Sequence, residues 1–170
     1  DMTADTPIAS EPVAKRARQP TAAQVARGIG RLFARNDIWC LPEVSLKNAR
    51  RADLMGIDAK GLIVIVEIKV ARADLMGDTK WPDYLDFCDR FYWAVPPSLD
   101  RAPLESAAFE PDLSGVIVAD GYDAEIVRQA SLTRLSAARR KAQVERLARL
   151  AMRRHTALID PSCAQLDTNA

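Results

Sequence analysis

Apolar residues recur along this chain in two rhythms. Thr21-Ala22-Ala23-Gln24 has the Thr-x-x-Gln spacing of a capping box, and Val25, Ile29, Leu32 and Phe33 then follow at helical intervals. A first helix is therefore expected from about Ala22 to Arg35. Next come three shorter segments, Ile38 to Leu46, Arg51 to Ile57 and Leu62 to Val70, separated by Lys47-Asn48 and by Asp58 to Gly61. They are too short for helices and predict a three-strand antiparallel meander. Pro42 cannot donate to a ladder, so the first strand is either an edge or begins only at Pro42. Trp81 to Asp89 suits a short helix with Pro82 in its first turn. Phe91 to Val95 reads as a strand, Gly115 to Ala119 as a buried strand, and Ala124 to Gln129 as its hairpin partner. Ser136 to about Thr156 forms a long last helix. The expected class is one mixed α/β (α+β) domain over residues 21–157, with a flexible arm at 1–20 and a tail at 158–170.

Side chains of a strand alternate, so Ile63, Ile65, Glu67 and Lys69 share one row, which turns from apolar to charged as the strand leaves the core. Asp58-Ala59-Lys60-Gly61 suits a three-residue loop with Gly61 in the left-handed region. That register sets Ile57 against Ile63, Met55 against Ile65 and Asp53 against Glu67. A two-residue loop would instead set Val66 against Asp53; only Gly61 favours the first. Two bare carboxylates across a ladder repel, and a cation between them reverses the sign. Mg²⁺, a hard ion commonly held by one or two carboxylates and water, fits such a pair. Arg-Ala-Asp-Leu-Met-Gly occurs at 51–56 and again at 72–77. The second copy puts Asp74 beyond Lys69, where a ladder contact with Glu67 is implausible, so Asp53 is the candidate.

Composition narrows the classes. The chain has 170 residues, 48% hydrophobic and 28% charged, with 24 Lys and Arg against 23 Asp and Glu, which supports one ordinary core and argues against a disordered chain. Cys40, Cys88 and Cys163 form no Cys-x-x-Cys pair and His155 is the single histidine. Disulfide scaffolds, zinc knuckles and multi-histidine centres are thus excluded, and any metal is left to carboxylates. No apolar run has the length of a membrane span or a signal peptide, so a soluble, cytoplasmic protein without membrane contact is expected. Gly28-Ile29-Gly30 lacks the third glycine of a dinucleotide fingerprint, and Walker and Gly-x-Ser-x-Gly sequences are missing. The near-neutral total hides a division: Arg134 to Arg154 holds eight basic residues against the single acid Glu145. With Val144, Leu147, Ala148 and Ala151 turned to the sheet, Arg139, Arg140, Lys141, Arg146, Arg149 and Arg153 would form an outward phosphate-binding face. Lys80, with Trp81, Asp83 and Tyr84, belongs to a second polar cluster that could close over the site or contact DNA.

Asp53 on one strand and Glu67-Ile68-Lys69 at the end of the next, after a helix and before helix and strand, resemble the PD-(D/E)XK nuclease superfamily. Arg50-Arg51-Ala52-Asp53, Val66 to Lys69, Asp78-Thr79-Lys80-Trp81-Pro82-Asp83-Tyr84, Cys88-Asp89-Arg90, Phe91 to Pro96 and Val116 to Asp120 are similar to the MmcB-like bacterial DNA-repair proteins, a branch of that superfamily. The resemblance implies a helix-strand-strand-strand-helix-strand core with a mixed sheet flanked by helices, then a hairpin and a long basic helix. It implies Mg²⁺ or Mn²⁺ held by Asp53, Glu67 and the main-chain carbonyl of Ile68, with Lys69 orienting water or stabilising charge. Its partners would be DNA and other repair or replication proteins. The first helix carries no acid between Thr21 and Asn36, which leaves Glu43 as a candidate third carboxylate. A Mg²⁺-dependent endonuclease is the leading expectation, and a catalytically weak or inactive DNA-binding accessory the alternative.

Overall fold

The computed structural model describes residues 18–164, so most of the expected arm and the last residues of the tail lie outside them. Helix α1 (Ala22–Arg35) starts as its sequence demands: the Thr21 hydroxyl accepts from the Gln24 N–H at 3.2 Å and the Gln24 side chain accepts from the Thr21 N–H at 2.8 Å. The other elements are β1 (Ile38–Ser45), β2 (Arg51–Asp58), β3 (Ile63–Ile68), α2 (Arg72–Gly77), a 3₁₀ segment (Trp81–Phe87), β4 (Arg90–Val95), β5 (Gly115–Ala119), β6 (Ala124–Arg128) and α3 (Ala137–Ile159). The strands form one sheet in chain order, β1 to β6. The β3–β4 and β4–β5 pairs are parallel and the other three antiparallel. Parallel neighbours need crossovers, which α2 with the 3₁₀ segment and then two short 3₁₀ turns supply.

The mixed class, the meander and the β5–β6 hairpin follow the sequence. Pro42 pairs with Leu54 within an edge strand that starts at Ile38, the first of its two alternatives. Three boundaries need correction. The short helix expected over Trp81 to Asp89 is a 3₁₀ segment that ends at Phe87, α2 was not foreseen, and α3 continues to Ile159, past the expected Thr156.

Both faces of the sheet are covered, which explains why β3 is apolar at every position but Glu67. Val25, Ile29 and Phe33 of α1 pack over Leu54, Val64, Val66, Tyr92 and Ile117. The opposite face buries Met55, Ile63, Ile65, Phe91 and Trp93 under Trp81, Tyr84 and Leu147. Gly28 permits α1 to press on the β5–β6 turn, since a Cβ there would stand 2.3 Å from the Asp120 carbonyl oxygen. Gly28→Ala is therefore expected to destabilise the fold by about 1–3 kcal/mol despite alanine's better helix propensity. Urea unfolding checks this; an unchanged midpoint would mean that α1 can simply shift outward.

Candidate active site

The β2–β3 hairpin closes through the three-residue loop that Gly61 predicts. Gly61 has φ +79°, its N–H donates to the Asp58 carbonyl at 3.0 Å, and Asp58 N–H donates to the Leu62 carbonyl at 3.0 Å. Ile57 then pairs with Ile63, Met55 with Ile65 and Leu54 with Val66. One step further the main-chain ladder gives way to side chains. Asp53 N–H donates to Glu67 Oε1 at 3.2 Å, and Ile68 N–H donates to Asp53 Oδ2 at 2.7 Å. Each carboxylate takes an amide of the opposite strand, so the two acids interlock across the rim of the sheet.

This position is costly for negative charge. Glu67 is only 5% exposed, and burial first, then the Asp53 carboxylate, pushes its pKa up to about 8 against the pull of the Asp53 N–H, Lys69 and Tyr84. Burial also raises Asp53, opposed by the Ile68 N–H and the charges of Lys69 and Arg51. The Tyr84 hydroxyl donates to the Arg51 carbonyl at 3.0 Å and also meets Glu67. Its ring stacks on Phe91 with centroids 6.1 Å apart, so the hydroxyl is fixed by core packing.

A cavity of about 670 Å³ opens over the pair, bordered by Asp53, Glu67, Ile68, Lys69, Lys80 and Tyr84. Lys69 Nζ lies 2.7 Å from Asp78 Oδ2, and the two side chains are 16% and 14% exposed. Asp78 follows α2 and was not singled out from the sequence; only its place in the stretch Asp78-Thr79-Lys80 marked it. Asp74 lines the same cavity from α2, while the ladder contact with Glu67 belongs to Asp53.

Glu43 stays apart from the pair. The β1–β2 pairs Pro42 with Leu54 and Val44 with Ala52 flank it, and its negative charge raises the Asp53 pKa. Its backbone is left-handed at φ +51°, however, and its carboxylate pairs with Arg51 at 3.6 Å near the surface. Among the described residues no three metal-binding side chains form a cluster. The carboxylate offered as a possible third one, Glu43, thus stands at the surface beside Arg51.

The expected outward face of α3 is also redistributed. Arg140 is 2.6 Å from the fully buried Asp89 carboxylate and is a structural tie. Arg146 donates to the Ser45 carbonyl at 3.1 Å, and Arg154 to those of Pro42 and Glu43 at 2.6 and 3.0 Å. These arginines cover carbonyls of the edge strand β1, which would otherwise offer a template for a foreign strand. Arg139 pairs with Asp86 at 2.9 Å and Lys141 with Glu145 at 3.8 Å, both at the surface. Arg149 and Arg153 line a groove of about 510 Å³ between α3 and β1, together with Lys47 and Arg146. No helix among the described residues is long and apolar enough to cross a membrane.

Known proteins can now be set beside this geometry. Comparison with curated proteins finds no match. Among solved structures, the SPO1766 protein of unknown function from Silicibacter pomeroyi is 39% identical, with a TM-score of 0.74 over 86% of this chain and 95% of that one. The family model of the MmcB-like DNA repair proteins matches residues 9–162, a span that takes in the whole sheet, the Asp53 and Glu67 rim and α3. With nearly all of its described fold inside that match, the chain belongs to the MmcB-like family of DNA repair proteins.

Proposed function

We propose that this chain is a Mg²⁺- or Mn²⁺-dependent endonuclease of the PD-(D/E)XK type that hydrolyses phosphodiester bonds during DNA repair. The interlocked Asp53 and Glu67 carry the reading. Two hard carboxylates, Glu67 buried and Asp53 half-buried, stand side by side at a cavity mouth where the Asp53 charge disfavours that of Glu67. That donor set suits a small hard cation completed by water and phosphate, with the Ile68 carbonyl as a further ligand. Such an ion supplies Lewis acidity and a water of lowered pKa. The remaining work falls to side chains. Lys69 holds a fixed positive charge at the wall of the cavity, where negative charge develops on a reacting phosphate. Tyr84 props the Glu67 carboxyl.

DNA would reach the cavity along Lys80 and the surface cations of α3, chiefly Arg139, Lys141, Arg149 and Arg153, by release of counterions. A chain that acts on DNA would work at the nucleoid in the cytoplasm, with other repair proteins as further partners. The accessory reading keeps one observation in its favour, the lack of a third carboxylate beside the pair among the described residues.

A cleavage screen over nicked, gapped, flapped and single-stranded DNA with Mg²⁺ or Mn²⁺ tests the proposal. Cutting is expected, with a loss on the order of 10²-fold or more in Asp53→Asn and in Lys69→Ala. Salt-dependent DNA binding without any cutting would establish the accessory instead. A chain that neither cuts DNA nor binds Mn²⁺ would overturn the endonuclease.

A further inference from the structure

Lys69 does not sit where the nearest carboxylates of its own hairpin would draw it. It directly follows β3, two residues after Glu67, and its charge acts on both Glu67 and Asp53. Its ammonium is nevertheless engaged by Asp78 at 2.7 Å, and it stands 6.0 Å from the Trp93 ring centroid, within cation–π range.

Asp78 is in no position to follow the lysine. Its N–H donates to the Leu75 carbonyl at 3.3 Å, and its Oδ1 accepts from the Lys80 N–H at 3.2 Å. The preceding helix α2 is itself pinned, with Leu75 fully buried in the core and Arg72 paired to Asp100 at 3.1 Å. The rigid partner is the aspartate and the adaptable one is the lysine, whose four-carbon stem lets its charge settle beside whichever acid holds it.

We propose that Asp78 is a positioning residue that draws the Lys69 ammonium to the α2 side of the cavity and so keeps the Asp53 and Glu67 carboxylates open to a divalent cation. The inference rests on the metal reading of that pair. Were Asp78 neutral, the ammonium would turn to the hairpin acids Asp53 and Glu67, whose charges it already feels, and a direct ion pair would occupy the oxygens that a cation needs. Partners that orient the groups around a metal site in this way commonly govern affinity or activity by about 10–100-fold.

The test is a Mn²⁺ titration of the full chain followed by electron paramagnetic resonance, run beside DNA cleavage and thermal unfolding. The set comprises wild type, Asp78→Asn, Asp78→Glu and the double variant Asp78→Asn/Lys69→Ala. Asp78→Asn is expected to weaken Mn²⁺ binding and cleavage by about 10–100-fold with little change in Tm. Asp78→Glu should recover most of both. The double variant should regain Mn²⁺ binding without regaining cleavage, which a purely structural aspartate would not produce. Unaltered Mn²⁺ affinity in Asp78→Asn would overturn the inference while leaving the metal site standing, as would a fall in Tm that Lys69→Ala does not relieve. A wild type that binds no Mn²⁺ would instead remove the metal reading of Asp53 and Glu67, and the inference with it.

Discussion

Asp89→Ala is expected to lower stability by about 3–5 kcal/mol, because it leaves the buried N–H groups of Ile63 and Leu135 without an acceptor, at about 1–3 kcal/mol each, and removes the partner of the Arg140 guanidinium. The Asp89 side chain is wholly buried and accepts from the N–H groups of Ile63 and Leu135, each at 2.8 Å, while Arg140 reaches it at 2.6 Å. Its own main chain joins the same knot: Asp89 N–H donates to the Ile63 carbonyl at 2.8 Å and the Thr133 N–H donates to the Asp89 carbonyl at 2.9 Å. One residue thus ties the start of β3 to the lead-in of α3. Burial alone would raise the Asp89 pKa, but the Arg140 guanidinium and the two amides outweigh it and hold the carboxyl below its ordinary range. A depressed folded pKa gives stability that is present above the unfolded value, near 4, and is lost as pH falls through the folded one. Urea unfolding should therefore show wild type weakening in acid and Asp89→Asn weakening less over the same interval. Equal acid sensitivity in the two would show that Asp89 is not a principal source of the titration.

Local pattern decided some elements of this fold and was powerless over others. The hexapeptide Arg-Ala-Asp-Leu-Met-Gly is strand in β2 and helix in α2. In β2 it is paired on both sides, by β1 and by β3, so tertiary pairing overrides whatever its own propensity favours. In α2 the same residues form a crossover turn anchored by Leu75, a setting that six letters do not encode. The register of β2 on β3 was legible because it depends on one local choice, the left-handed residue Gly61. Asp78 was not legible, because its meeting with Lys69 depends on where α2 turns the chain. The arginines of α3 show the same boundary: helical phase indicated a basic face, but the carbonyls of Ser45, Pro42 and Glu43 that occupy Arg146 and Arg154 lie about a hundred residues away in sequence.

Glu67→Gln should make the metal-free protein more stable than wild type at mildly alkaline pH while abolishing its response to metal. In the folded chain the Glu67 pKa stands at about 8 against an ordinary value of 4.5, chiefly through burial and then through Asp53. A carboxyl raised in this way holds the folded state together best in its protonated form. Its contribution is complete below the unfolded pKa and is lost as pH rises through the folded one. Over that window wild type should lose up to about 1.4 kcal/mol per pH unit from this group, some of it recovered by local relaxation. Glutamine has no proton to lose there, and its amide oxygen can still accept the Asp53 N–H that Glu67 Oε1 accepts at 3.2 Å. The variant's stability should therefore be flatter across the same range, and the two curves should cross. Mn²⁺ should reverse the order, raising the Tm of wild type more strongly as pH rises, since the ion replaces the proton that Glu67 would otherwise keep. Thermal unfolding of both proteins from about pH 5 to pH 9, with and without Mn²⁺, separates these effects. A wild-type curve as flat as that of Glu67→Gln would mean that Glu67 ionises without cost, and the interlocked pair would then lack the electrostatic deficit on which the proposed cation site rests.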